Sequence, residues 1–401
     1  MAKSLSVEVV VVGGGPAGLT AAVALASAGI ETALIALRQP ADHRTSALLA
    51  GSVAALETLG VWEACAGQAA PLRTLRIVDA TSRLIRAPEV RFTADEIGLD
   101  AFGQNIENRH LVAALDSRAT AVGSLIRVES EAVAVESRDS DVVVSTKDGD
   151  TVTARLVIGA DGRRSLCRAA AGIDSRGRTY PQTALTFNLA HSRPHRDTST
   201  EFHTEQGPFT LVPLPGNRSS LVCVVSPREA EHLQALNETE LNAELEQRSH
   251  SILGKITTEP GRGVFPLAIE TVQSFGRQRI ALVGEAAHLV PPIGAQGLNL
   301  GLRDAAMIGE LAVTARRDGG DIGSDNVLDH YDALRRADVQ SRTLAVDLLN
   351  RTLLSDFMPT QSARGLGLYL LDRIGPLRRA AMREGVSPRI SQPRLMRGEA
   401  L

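Results

Sequence analysis

An α/β fold in which a dinucleotide-binding domain is interrupted by an antiparallel sheet is predicted by three features of the chain. Val7–Val12 is a valine run, with Glu8 its one polar residue, that ends in Gly13, Gly15 and Gly18 at GxGxxG spacing. From about 176 to 269 the texture changes to strand-like pieces broken by Pro, Gly and Asn. At Arg279–Val283 the buried-strand pattern returns, and helical periodicity then dominates to the C-terminus. The expected division is a discontinuous nucleotide domain over 1–70, 101–175 and 271–345, a sheet domain over 71–100 and 176–270, and a C-terminal helical segment over 346–401.

Each element has a local reason. Val7–Val12 lacks the alternation of a half-buried strand, which predicts a parallel strand covered on both faces. Ala17–Ala28 is alanine-rich and closed by Gly29, as a helix is, and Thr32–Leu37 reads as the second strand of a βαβ unit. Ala132–Glu136, Val142–Thr146 and Thr151–Ile158 form a meander with Asp148-Gly149 at one turn. Phe209–Leu214 and Ser220–Val225 read as strands of the inserted sheet, and Glu238–Ser251 as a helix that interrupts it.

Composition excludes several classes. At 401 residues the chain exceeds one ordinary core, and 43% hydrophobic with 22% charged residues is the balance of a globular protein. A net charge of −3, no basic block and 3% aromatics offer nucleic acid neither an electrostatic footprint nor a stacking platform. Cys65, Cys167 and Cys223 show no CxxC spacing, so they are expected to be reduced, buried and free of metal. The first apolar run is short and passes straight into the glycine turn, so no signal peptide is expected and a cytoplasmic location is.

The chemistry sits in three motifs. In the first, Gly13 permits a tight turn, Gly15 lets a diphosphate approach the backbone, and Gly18 lets helix and strand pack closely. Pro16 and Ala17 open the helix whose free N–H groups and dipole favour the anion. The second motif is Gly159-Ala160-Asp161-Gly162 at a strand end. The third is Gly284-Glu285-Ala286-Ala287-His288 followed by Pro291 to Asn299. Three motifs in this order point to FAD. One departure stands out: the ribose-binding acid expected at the end of the second strand is replaced by Ala36, with Asp42 the only nearby acid and Arg38 a candidate substitute.

Asp161-Gly162 with Arg163, Arg164, Ser165 and Arg168, together with Gly284–Asn299, resembles the class A flavoprotein aromatic hydroxylases of the 4-hydroxybenzoate hydroxylase fold. Phe102–Arg109 is similar to the family segment that places Gln104 and Arg109 near FAD, and Arg44 matches a family arginine beside the cofactor. Asp42–Leu48, Leu59-Gly60-Val61-Trp62 and the tail motifs Asp347–Asn350, Leu353–Asp356 and Gly365–Leu368 are similar to the ubiquinone-biosynthesis branch. Glu285 stands where that family usually has Asp.

The resemblance implies a Rossmann-type FAD domain with an inserted substrate sheet. It implies NAD(P)H- and O2-dependent hydroxylation of a polyprenylated phenol through a flavin C4a-hydroperoxide. Gly13, Gly15, Pro16, Ala17, Gly18, Arg44, Gln104, Arg109, Asp161, Glu285, Gly297, Leu298 and Asn299 would hold FAD, and Pro292 would border the reaction site. Gly297, Leu298 and Asn299 open a helix whose N–H groups suit the negative charge of reduced flavin. Phe209, Leu211 and Pro213, alternating along one strand, are candidates to line the substrate pocket. A greasy substrate further implies peripheral contact with the inner face of a membrane, through Leu366–Ile374 and Leu377, or contact with other ubiquinone-biosynthesis proteins.

Blander roles compete for individual residues: Asp161 as a cap, Arg44, Arg109 and Gln104 as surface groups, His288 as packing, His203 as a structural residue. Other functions also stand beside the main one. They are a hydroxylase of an unrelated small aromatic, a flavin reductase or halogenase, and a non-enzymatic scaffold of a quinone-synthesis complex. A halogenase would carry a tryptophan-rich motif, whereas Trp62 is the single tryptophan. The scaffold rests on Ala36 alone.

Overall fold

The structure is a computed structural model that describes residues 3–38, 40–82, 86–354, 365, 367, 369–371, 373–386 and 392–401. In chain order, β1 (Ser4–Val12), α1 (Pro16–Ser27) and β2 (Thr32–Ile35) form the expected βαβ start. β3 (Thr45–Leu49), α2 (Ala50–Thr58), β4 (Ala69–Pro71), β5 (Thr74–Asp79) and β6 (Val90–Thr93) follow. β7 (Gly103–Glu107) leads into α3 (Asn108–Ala121) and β8 (Leu125–Val128). Next come β9 (Ala132–Ser137), β10 (Val142–Thr146), β11 (Thr151–Gly159) and α4 (Leu166–Ala170).

The inserted region contains β12 (Ser175–His191), β13 (Thr198–His203), β14 (Pro208–Leu214) and β15 (Arg218–Val225). It continues through α5 (Pro227–Ala235), α6 (Glu238–Arg248), β16 (Ile256–Thr258) and β17 (Gly263–Val272). β18 (Gly276–Arg277), β19 (Ile280–Leu282) and β20 (His288–Leu289) then lead to the long helices α7 (Gln296–Arg317) and α8 (Asp325–Leu354), and to α9 (Gly375–Val386).

Two large sheets result. The first runs in the order β18-β19-β11-β1-β2-β8, with β1 parallel to both β11 and β2, and it carries the meander β9-β10 on β11. Val9, Val10 and Val11 are fully buried at its centre, as an unbroken β-branched run requires. The second sheet runs β20-β17-β12-β15-β14-β13-β5-β6 and draws strands from 74–93, 175–272 and 288–289. A small third sheet, β3-β7-β4, lies at the junction, where Asn105 of β7 donates to the Pro213 carbonyl and to Ser220.

Several bounds differ from expectation for identifiable reasons. β2 stops at Ile35, because its ladder with β8 ends there and Leu37 turns half out to solvent. α6 ends at Arg248, since His250 and Ser251 adopt left-handed backbone with φ near 50°. Residue 346, expected to open a separate segment, lies inside continuous α8. That helix is anchored at one end by Tyr331 donating to the Leu282 carbonyl and at the other by Asn350 donating to Gln182. Of the tail motifs, Ser355, Asp356, Leu366 and Leu368 lie outside the described residues. Among the described residues no helix is long and apolar enough to cross a membrane.

Candidate cofactor and substrate cavity

A cavity of about 590 Å³ opens between the two large sheets, within the size range of sites that enclose small ligands. Its floor is the glycine-rich edge of the first sheet. Gly13 has φ +118°, and a Cβ there would sit 2.2 Å from the Ala160 carbonyl oxygen. A Cβ on Gly18 would meet the Gly13 carbonyl oxygen at 2.1 Å, so only glycine lets α1 seat against β1. Gly15 is the opposite case. It caps α1, lines the cavity and has nothing within 4 Å of its missing side chain, which leaves the helix N-terminus open to a ligand. Pro16 and Ala17 line the same floor.

The third motif supplies another wall. Gly284, Glu285, His288, Pro292, Gly297 and Leu298 all border the cavity. Ala295 precedes α7 in left-handed backbone, φ 55°, and Gly297 again has open space where a side chain would project. Behind this wall lies a buried charge network. Asp304, fully buried, accepts from the Gly284 N–H at 2.9 Å, from Arg335 Nε at 2.6 Å, and pairs with His288 Nε2 at 2.6 Å. Burial alone would raise its pKa, but the charges of His288 and Arg335 hold it down at about 2. Arg335 continues to Asp338 (2.7 Å), which also binds Arg303 at 2.8 Å. His288 Nδ1 is buried without a hydrogen-bond partner among the described residues.

At the mouth, Asp42 receives Arg44 at 2.8 and 3.0 Å and Asn108 at 2.9 Å. Burial pushes Asp42 up, yet these bonds leave its carboxyl below the ordinary value. The Arg44 guanidinium, held first by Asp42, is raised and also feels Glu285.

Five residues expected at the cofactor do not line the cavity; one is Gly13, whose place is in the turn against Ala160. The Asp161 carboxylate accepts from Ser165 Oγ (2.5 Å) and from the Cys167 N–H (3.1 Å), so it anchors the start of α4. Asn299 is 1% exposed. Its Oδ1 accepts from Leu49 N–H and Ser52 Oγ, and its Nδ2 donates to the carbonyls of Ala47 and Ala295. It therefore fixes the turn that presents Gly297 and Leu298. Arg109 Nε lies 3.0 Å from buried Glu107, which also pairs with Arg218, and Gln104 sits on β7 in register with Leu48 and Pro71.

The three residues expected to line the substrate pocket stand away from this cavity. Phe209 and Leu211 pair across β14–β15 with Cys223 and Leu221, and all four belong to a core closed by α5 and α6. Pro213 shares their face by alternation, and none of the three lines the cavity. The cavity face belongs to neighbouring strands: Thr186 and Asn188 of β12, Ser220 and Val222 of β15, Phe265 and Leu267 of β17. Asp304 was also missed. A charged pair, Arg303-Asp304, inside the otherwise apolar run of α7 was the available signal, because such a pair is buried only when partnered.

The FAD binding domain family matches residues 6–345. Ubiquinone hydroxylase UbiL of Rhodospirillum rubrum is 37% identical, the alignment covering 98% of this chain and 93% of that protein. The 3-demethoxyubiquinol 3-hydroxylase of Escherichia coli is 33% identical, over 94% of this chain and 97% of its own length. This chain belongs to the FAD-dependent ubiquinone-hydroxylase family. Among solved structures, p-nitrophenol 4-monooxygenase PnpA from Pseudomonas putida shares the fold. It has a TM-score of 0.77 at 20% identity, over 96% of this chain and 99% of that one. As in the family, the cofactor is FAD. The cavity fits it: Gly15 and Gly297 leave open helix N-termini that face the cavity, and among the described residues His288 Nδ1 is a buried polar atom left unpaired in its wall.

Proposed function

We propose that the chain is a FAD-dependent monooxygenase that hydroxylates the aromatic ring of a polyprenylated phenol on the route to ubiquinone, using NAD(P)H and O2. The observation that carries this reading is similarity along nearly the whole chain to two ubiquinone-pathway hydroxylases, joined to a cavity whose floor fits a dinucleotide. Bound FAD supplies the reduction by NAD(P)H and the activation of O2. Gly13, Gly15, Pro16, Ala17 and Gly18 would hold its diphosphate. Arg44, Glu285, Gly297 and Leu298 would hold the remainder, and Pro292 would border the ring that reacts. Asp161, Asn299, Gln104 and Arg109 would act through the backbone they position.

The chain's own part is orientation and exclusion of water. Val222, Phe265 and Leu267 give the substrate side an apolar wall, while Thr186, Asn188 and Ser220 offer hydrogen bonds to a phenol. The two helix N-termini favour negative charge developing near them.

A prenyl tail also calls for contact with a lipid surface. Leu344 and Leu348 of α8, Leu370 and Ile374, and Leu377 of α9 are exposed large apolar residues, with Arg373 and Arg379 beside the last three. Leu366, Leu368 and Asp372, within the stretch expected to serve, lie outside the described residues.

The test is purified holoprotein assayed for NAD(P)H-dependent oxygen incorporation into phenols with and without a prenyl chain. Turnover confined to prenylated rings is expected. Equal turnover of water-soluble phenols would point to a small-aromatic hydroxylase, and no flavin absorbance after FAD addition would refute the reading.

A further inference from the structure

We infer that Glu129, at the end of β8, supplies the adenosine-ribose contact that Ala36 cannot; this rests on the reading of the floor as an FAD site. In dinucleotide-binding sheets the ribose hydroxyls meet an acidic residue at the end of the second strand. Here that position is Ala36, a buried methyl whose Cβ lies 2.8 Å from where a Cβ on Gly14 would be, in the middle of the diphosphate turn. The position carries no charge and no hydrogen-bonding group.

The acids nearby are not equivalent. Asp42 is committed to Arg44 and Asn108. Asp116 is held by Arg127, with Arg38 a distant 3.9 Å away.

Glu129 is placed by register. β2 and β8 are parallel with Ile35 opposite Val128, and just past the end of that ladder the Ala36 N–H donates to the Val128 carbonyl at 3.1 Å. Glu129 is therefore the cross-strand neighbour of Ala36. One strand spacing, about 4.8 Å, separates the two backbones, a gap that the two methylenes and carboxylate of Glu can bridge. Its side chain is half exposed and pairs with Arg38 Nε at 3.2 Å, itself 65% exposed. An ion pair that open is weak and exchanges readily for hydroxyl groups. The carboxylate has thus moved one strand along the sheet, keeping its place above the sheet's C-terminal edge.

The experiment is titration of the full-length apoprotein with FAD, with FMN and with ADP, for the wild type and Glu129→Ala. FMN lacks the adenosine ribose. The expected result is a rise of about tenfold to a hundredfold in Kd for FAD and ADP, the range of a lost charge-assisted hydrogen bond. FMN binding and the apoprotein melting temperature should be unchanged. Wild-type affinity for FAD in the variant would overturn the inference, as would equal weakening of FAD and FMN. A wild-type protein that binds no FAD would instead overturn the functional reading beneath it.

Discussion

Replacing Asp304 with Asn changes one oxygen for an amide and keeps the shape of the side chain. In the native protein its carboxylate, fully buried, satisfies the Gly284 N–H, His288 and Arg335 at 2.6–2.9 Å. The amide oxygen still accepts from one side. Its NH2 must then face another donor, and Arg335, 2% exposed, loses one of its two carboxylates. Breaking a buried ion pair by removing one partner costs about 3–5 kcal/mol. A separate reckoning comes from pH. The Asp304 pKa of about 2 lies below the ordinary 3.8, so its ionisation stabilises the fold by about 2 kcal/mol. The sign follows from the depressed value: this stability is complete above pH 4 and is lost as pH falls through about 2. The mutational figure is larger because Asn also strands a guanidinium. Urea unfolding of Asp304→Asn at pH 7 should show the loss. Between pH 4 and 2 the variant's stability should fall less steeply than the wild type's. FAD should bind more weakly, since Gly284 and Glu285 lose their anchor. An unchanged urea midpoint, or an acid limb parallel to that of the wild type, would refute the assignment of the network as the support of this wall.

Ala295 holds a left-handed conformation, φ 55°, that costs a non-glycine residue about 1 kcal/mol, so Ala295→Gly should raise the unfolding midpoint by up to that amount without loss of flavin. Burial pushes the Cys65 thiol up to about 11 and Cys223 to about 12, and Cys167 is also raised by burial. Ellman's reagent at pH 8 should therefore find no reactive thiol in the native protein and three per chain in denaturant. Leu211→Ala should destabilise the fold by about 2–5 kcal/mol and leave substrate preference intact, whereas Val222→Ala should change KM for the phenol with a smaller stability cost. Steady-state kinetics paired with urea melts would separate the two, and a specificity change in the Leu211 variant would contradict the assigned faces.

The glycines and the strand they follow were legible in the chain because their constraints are local. A β-branched run without alternation must be covered on both faces, Gly13 turns the chain with φ +118°, and Gly18 answers to the Gly13 carbonyl five residues back. The break in texture near 176 likewise reports the change from one sheet to another. What remained hidden concerns partners far apart in sequence. Period-two alternation in 208–214 shows that Phe209, Leu211 and Pro213 share a face, but not whether α5 and α6 or the cavity covers it. Asp161 and Asn299 carry the expected chemistry, yet their hydrogen bonds are spent within α4 and on β3 and α2. Asp304 gains its role from Gly284, His288 and Arg335, which only the packing of α7 and α8 against β19 and β20 brings together. Backbone conformation and burial pattern are determined by a residue and its near neighbours, so the sequence reports them. Which side chain meets which ligand depends on the pairing of strands and helices distant in the chain, and that was decided only by the tertiary structure.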